Sequence, residues 1–220
     1  MRSVDLEFFL LLGTVAMFFL ISIQMKWYGI AVWKSMFVSI AIIITGLITC
    51  ELWFFLENGE WGGRSFFGAV FLAPITFMPL AKCLKIPYKY SLDFCATSGC
   101  LMLTILKVEC LIDGCCKGIV LYRTAVGEVI RFPSQFIEVF TAFMLTALLI
   151  STSRKTKYRG KIYPITLVLY GVLRFVLNLL RDDWYRMKNM GLLLPLGNIW
   201  SLLAIGIGMI WLIVASEKKK

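Results

Sequence analysis

The chain has no histidine among its 220 residues, and charged side chains are scarce. The missing histidine excludes Ser-His-Asp and Cys-His catalysis and every metal site with an imidazole ligand. Charged residues make up 16% of the chain, against the usual figure of about 25%, while apolar residues make up 60%. A soluble domain of this composition would lack the polar surface that it needs. The composition therefore predicts an all-α integral membrane protein.

Seven apolar stretches are candidates for helices that cross a bilayer, which takes roughly 20 residues. They are Leu6–Ile23, Met36–Leu56, Phe66–Ala81, Ser91–Leu106, Ser134–Ile150, Ile162–Leu180 and Leu192–Ala215. The third stretch contains Pro74 and Pro79, and the fourth contains Asp93, so a bent or re-entrant path stays open for these two. Since no repeat or change of composition divides the chain, residues 1–220 are predicted to form a single transmembrane domain.

Basic residues are shared unevenly between the connecting segments. Residues 26–34, 82–89, 154–161 and 218–220, which lie on the side of the C-terminal tail, hold thirteen Lys and Arg, and the other side holds nine. The positive-inside rule then predicts a cytoplasmic C-terminus and, with seven spans, an outer N-terminus. Topology and anionic lipid account for the net charge of +10, so no nucleic-acid partner is predicted.

The segment 107–118, after the fourth stretch, combines two Lys, two Gly, two acids and three Cys. Three thiols without a histidine fall short of the usual zinc ligand sets, so no metal is predicted unless Glu109 or Asp113 joins them. A disulfide on the outer side also stays open. The remaining interpretation is a tight glycine turn with free or partly buried thiols.

The segment 131–138 has the features of a helix start. Pro133 suits the first helical turn, where its missing N–H costs no hydrogen bond. Gln135 and Glu138 are three residues apart and can share one face. An acid inside the first turns of a span is a functional candidate, because an unpaired charge there is costly.

A polar stripe runs along the sixth stretch at four- and three-residue spacing: Tyr170, Arg174, Asn178 and Arg181. Arg174 lies about two turns inside the span, where an arginine must face protein, water or an anion. Its planar guanidinium binds phosphate through two hydrogen bonds, and a lipid phosphate is the obvious anion in a membrane. The alternative is a structural ion pair with Glu51 or Glu138.

Three patches, in this order, resemble the prolipoprotein diacylglyceryl transferase family. Gly63–Ala69 is similar to a family segment in which a small residue, serine and an aromatic residue precede His-Gly-Gly. Residues 107–118 resemble the Cys-rich form of the family signature. The third patch is a pair: residues 131–138 are similar to the pattern H-P-x-Q-L-Y-E, and residues 170–181 are similar to Y-G-x-x-R-F…R.

The resemblance implies a transferase at the outer face of a prokaryotic plasma membrane that needs no cofactor. It would move a diacylglyceryl group from phosphatidylglycerol to a cysteine thiol of a lipoprotein precursor, and glycerol phosphate would leave. Arg174 matches a family arginine, Lys107 stands where the signature arginine usually lies, and Glu138 is the third candidate catalytic residue. The candidate substrate contacts are Arg64, Cys110, Asp113, Cys115, Cys116, Arg131, Gln135, Tyr170, Asn178 and Arg181.

The chain also departs from the family pattern. Phe67 stands at the position of an important family histidine, and Phe132 replaces the histidine of the H-P motif. Proton transfer would then fall to Glu138, Asp113 or a cysteine thiolate. Two alternatives follow: a non-catalytic lipid-binding protein or complex subunit on the same scaffold, and a thiol redox or metal-linked protein.

Overall fold

The computed structural model describes residues 4–114, 117–124, 128–181 and 196–217. This part of the chain contains seven long helices, all of which are long and apolar enough to cross a membrane. They are α1 (Val4–Tyr28), α2 (Lys34–Asn58), α3 (Phe66–Cys83), α4 (Tyr88–Asp113), α5 (Ser134–Arg154), α6 (Ile162–Leu179) and α7 (Leu196–Glu217). The predicted all-α membrane protein with seven spans is confirmed. Its N-out, C-in orientation stays a prediction.

Helix α3 is continuous, although it contains two prolines. Pro74 has no N–H, which leaves the carbonyl of Val70, four residues earlier, without its helical donor. The hydroxyl of Tyr163 in α6 donates a hydrogen bond to this carbonyl. A membrane-spanning helix can contain a proline when a neighbouring helix supplies a donor to the freed carbonyl.

Helix α4 is also continuous and lies at the centre of the bundle, where it packs against α1, α3, α5 and α6. Buried polar side chains tie it to its neighbours. Thr97 donates to Gln24 Oε1 of α1 at 2.8 Å, and Gln24 in turn donates to Ser153 of α5 at 3.3 Å. Such hydrogen bonds between helices supplement close packing inside a membrane, where the hydrophobic effect does not hold helices together.

Asp93 of α4 is fully buried and anchors the beginning of α6. Its carboxylate accepts hydrogen bonds from the backbone N–H of Gly160 and from that of Ile162, the latter at 3.0 Å, and from the Tyr28 hydroxyl at 3.0 Å. The first N–H groups of a helix have no partner within the helix, and a carboxylate there also complements the helix dipole. The acid that seemed to interrupt the fourth span is thus a fixed cap for the sixth.

Helices α2 and α3 approach closely at Gly68. A Cβ atom at this position would lie 2.0 Å from the backbone oxygen of Thr49, so only glycine fits. Small residues allow such close contact between helix backbones in membranes. The contact sets the position of Phe66 and Phe67, which begin α3.

A short β-hairpin, which the sequence did not predict, joins α4 to α5. Strands β1 (Val120–Arg123) and β2 (Val129–Arg131) pair in an antiparallel ladder. By chain alternation this hairpin lies at the same end of the bundle as the loop 59–65 and the end of α6. We call this end the hairpin end.

Candidate functional site

A cavity of about 540 Å³ lies inside the bundle and is lined by residues from all seven helices. Its wall near the middle of the spans is apolar and includes Met17, Ile42 and Leu145. Towards the hairpin end the wall carries charged side chains: Glu57, Arg64, Lys107, Glu109, Glu138, Arg174 and Arg181. An apolar chamber that leads to a charged mouth fits a ligand with an apolar body and a polar head.

Glu138 is the centre of the charged mouth. It is the fifth residue of α5, and its side chain is only 2% exposed. Lys107, from the last two turns of α4, forms an ion pair with its Oε2 atom. Arg174 Nη1 lies 3.2 Å from its Oε1 atom, and Arg181 Nη1 lies 3.4 Å from the same oxygen. Three segments of the chain therefore meet at one carboxylate.

The charges in this cluster do not balance. A buried carboxylate must be paired, and Lys107 alone would suffice to neutralise Glu138. Arg174, with 21% of its side chain exposed, adds a second positive charge at the cavity wall. With Arg181, three cations contact this one carboxylate, and the excess positive charge favours an anion with several oxygens, such as phosphate.

The hairpin fixes the end of α6 and with it Arg181. Gly118 pairs with Arg181 as an isolated β-bridge, and the N–H of Ile119 donates to the Leu180 carbonyl at 3.2 Å. A Cβ atom on Gly118 would lie 2.2 Å from the carbonyl oxygen of Phe132, so this contact needs glycine. The segment 107–118, which the sequence singled out for its thiols, thus also holds the position of Arg181.

Aromatic side chains of α2, α3, α6 and α7 form a cluster. Phe67, at 4% exposure, stacks on Phe71, and its ring centroid is 5.6 Å from that of Tyr170. Trp200 packs edge-on against Trp53 at 5.1 Å. Phe67, where the resemblance puts a family histidine, is therefore a buried ring that contacts Tyr170, one helical turn before Arg174.

Glu57, which sequence reasoning missed, also lines the cavity. It lies in the last turn of α2, where its Oε1 atom accepts a hydrogen bond from Trp53 Nε1 at 3.0 Å. Ser65 and Trp200 flank the same carboxylate. The spacing of Trp53 and Glu57, four residues apart at the end of an apolar run, was the available signal. The sequence pointed instead to Glu51, which does not line the cavity.

The structure brings most of the other candidate residues to this mouth. The cavity wall includes these eight: Arg64, Lys107, Cys110, Glu138, Tyr170, Arg174, Asn178 and Arg181. Asn178 also packs against α7, since a Cβ on Gly197 would lie 2.7 Å from its Nδ2 atom.

Three candidates lie elsewhere, and two fall outside the described residues. Asp113 is exposed at the end of α4, and Gln135 is half-buried in α5 without lining the cavity. Arg131 donates from Nη1 to the Gly118 carbonyl at 3.1 Å, so it contacts the base of the hairpin. Cys115 and Cys116 are not among the described residues.

The comparisons with known proteins agree with this geometry. A search of curated proteins gives no match. The family model for prolipoprotein diacylglyceryl transferase matches residues 51–214, a stretch that holds every charged residue of the cavity mouth. This family acts in lipoprotein biosynthesis as membrane-embedded transferases, with a phospholipid donor and a lipoprotein precursor as substrates. Since the match covers about three quarters of the chain, the protein belongs to the prolipoprotein diacylglyceryl transferase family.

Proposed function

We propose that this protein transfers a diacylglyceryl group from an anionic phospholipid, phosphatidylglycerol, to a cysteine thiol of a lipoprotein precursor. The reaction takes place at the outer face of a bacterial plasma membrane, where the N-out orientation puts the hairpin end. Family membership supports the class of reaction. The uneven distribution of Lys and Arg between the two sides supports the orientation.

The main support for the proposal is that Lys107 and Arg174 both form ion pairs with Glu138 at the mouth of an apolar cavity. The acyl chains of a phospholipid match the apolar chamber. Its phosphodiester, with one negative charge, matches the positive charge that Glu138 leaves unbalanced. Arg174 presents a planar fork of donors, which fits two phosphate oxygens at once.

The chemical step exchanges one bond for another. The acceptor sulfur attacks the glycerol carbon that is esterified to the phosphate, and a C–S bond forms. The C–O bond to the phosphate breaks, and glycerol phosphate leaves with the electron pair. Because negative charge grows on the departing phosphate, cations already fixed beside it stabilise the transition state more than the ground state.

Glu138 acts here by orienting the cations. Its two oxygens are engaged by Lys107, Arg174 and Arg181, so their side chains stay in place when no lipid is bound. Cations held in this way need little reorganisation when the phosphate arrives.

The direct test is transfer by the purified protein in phosphatidylglycerol vesicles that contain a synthetic peptide with one cysteine. Mass spectrometry is expected to show a peptide that has gained one diacylglyceryl group through a thioether, and an equal amount of released glycerol phosphate. A peptide with serine in place of cysteine should stay unmodified. If the wild-type protein yields no thioether although it binds the lipid, this function is refuted.

A second candidate function has its own observation. The resemblance puts two family histidines at Phe67 and Phe132, and neither of these side chains can transfer a proton. This favours a lipid-binding membrane protein or complex subunit that keeps the scaffold without turnover. Retention of phosphatidylglycerol by the purified protein, together with the absence of product in the same vesicles, would select this alternative.

A further inference from the structure

The proposed transfer needs a proton acceptor for the acceptor thiol, and this inference rests on that function. A thiol attacks as its thiolate, while a cysteine with a pKa of about 8.5 is mostly protonated at neutral pH. The chain has no histidine to take the proton. Glu138 is poorly suited to the task, because three cations already surround its carboxylate.

Glu57 has different surroundings. Its hydrogen-bonding neighbours are neutral: Trp53 Nε1 donates to it at 3.0 Å, and Ser65 and Trp200 flank it, while Arg174 acts on it only electrostatically. Within the described part of the chain no Lys or Arg nitrogen lies within ion-pair distance of its carboxylate. Its Oε1 atom is oriented by the indole of Trp53, so the carboxylate has a fixed direction at the cavity wall.

The two acids also come from different helices around the same cavity. Glu57 belongs to α2, whereas Glu138 belongs to α5 and its cations belong to α4, to α6 and to the residues just after α6. In a displacement at carbon, the nucleophile approaches from the side opposite to the leaving group. A proton acceptor for the nucleophile must therefore lie on a different wall from the cations that hold the phosphate.

The other acids among the described residues fit this role less well. Asp113 is exposed at the end of α4, outside the cavity wall. Glu109 lines the cavity but lies only two residues from Lys107, on the helix that supplies one of the phosphate cations. Glu60 is exposed in the loop after α2.

We propose that Glu57 is the general base that takes the proton of the acceptor thiol. The S–H proton passes to the Glu57 carboxylate, the sulfur forms the C–S bond, and glycerol phosphate departs with the electrons of the broken C–O bond. The proton on Glu57 is then released to water or to the departing phosphate, which returns the carboxylate for the next cycle. No oxidant, metal or cofactor enters the balance.

The test is Glu57→Gln, a substitution that keeps the shape of the side chain and the hydrogen bond from Trp53 but cannot accept the proton. Loss of a general base lowers a rate by roughly 10²–10⁴. We expect a loss of this size in thioether formation while retention of phosphatidylglycerol stays at the wild-type level. Glu60→Gln, the same change three residues away at an exposed position, should leave both unchanged.

A selenocysteine acceptor separates a base from a structural residue. A selenol is already ionised at neutral pH, so its attack needs no proton acceptor. The Glu57→Gln variant should therefore modify the selenocysteine peptide at close to the wild-type rate, while its reaction with the cysteine peptide stays slow. An equal loss with both peptides, or an undiminished rate with the cysteine peptide, would overturn the inference. If the wild-type protein itself forms no thioether, the proposed function fails and this role fails with it.

Discussion

Substitution of Arg174 can test its contact with phosphate without unfolding the protein, because Glu138 keeps two other partners. Loss of the last partner of a buried ion pair costs about 3–5 kcal/mol, since a charge is left unpaired in a low dielectric. After Arg174→Ala, however, Lys107 and Arg181 still contact Glu138. We therefore expect a loss of only about 1 kcal/mol in the free energy of unfolding, of the size of one ordinary hydrogen bond.

The effect on transfer should be much larger than the effect on stability. Removal of one fixed donor to a developing charge costs roughly 3–4 kcal/mol, or about 10²–10³ in rate. Arg174→Lys keeps the positive charge but replaces the planar fork by a point donor, so it should lose most of the transfer activity. Arg174→Ala should lose more, while both variants fold.

Thermal unfolding and thioether formation are measured on the same purified variants. Arg123, exposed on β1 outside the cavity wall, offers the matched controls Arg123→Lys and Arg123→Ala, which should leave both quantities unchanged. Wild-type transfer by folded Arg174→Lys and Arg174→Ala would refute a phosphate contact at this residue. A large drop in stability with unchanged transfer per folded molecule would instead indicate a purely structural ion pair.

Three further predictions concern the fold. Asp93→Asn should lower the free energy of unfolding by about 2–3 kcal/mol, measured by thermal denaturation in detergent, because it removes charge-assisted hydrogen bonds to the first turn of α6. Gly68→Ala should cost about 1–3 kcal/mol in the same assay through overpacking of α2 against α3, whereas Gly46→Ala, with no atom near its added Cβ, should cost nothing. The substitution Thr156→Cys, in an otherwise cysteine-free chain, should give a thiol that a membrane-impermeant reagent does not label in intact cells but labels after lysis. Labelling in intact cells would contradict the predicted orientation.

The spans could be predicted because a bilayer demands long apolar runs, and that demand is visible residue by residue. Their ends could not, because a helix in this fold continues past its apolar run. The fourth stretch was predicted to end at Leu106, yet α4 continues to Asp113. The extra turns carry Lys107 and Cys110, whose polar side chains face the cavity instead of lipid. The prediction therefore stopped at the point where the functional surface begins.

The cluster around Glu138 was partly predictable for a related reason. A charged residue inside a span needs a partner, so Arg174 and Glu138 could be proposed as partners from their depth alone. The hairpin could not be predicted, since β1 and β2 have four and three residues and the long connecting segment carried no clear turn signal. Glu57 was missed because it lies at the very end of an apolar run, where an acid resembles an ordinary solvated helix terminus.

The two acids of the cavity show why a chain without histidine can still be proposed as a catalyst. A carboxylate that is surrounded by cations serves best as an anion that keeps them in place. A carboxylate whose hydrogen-bond donors are neutral is available to exchange a proton. Different surroundings therefore give the same side chain different roles. Glu138 has the first kind of surroundings, whereas the side chains that hydrogen-bond Glu57 are neutral and Arg174 acts on it only electrostatically. The ring of Phe67, where the resemblance puts a family histidine, packs beside Tyr170. If Glu57 supplies the base, it does so from α2, while the proposed phosphate contacts come from α4, from α6 and from the residues just after α6. A chain without histidine then still has a carboxylate for the step that needs a proton acceptor.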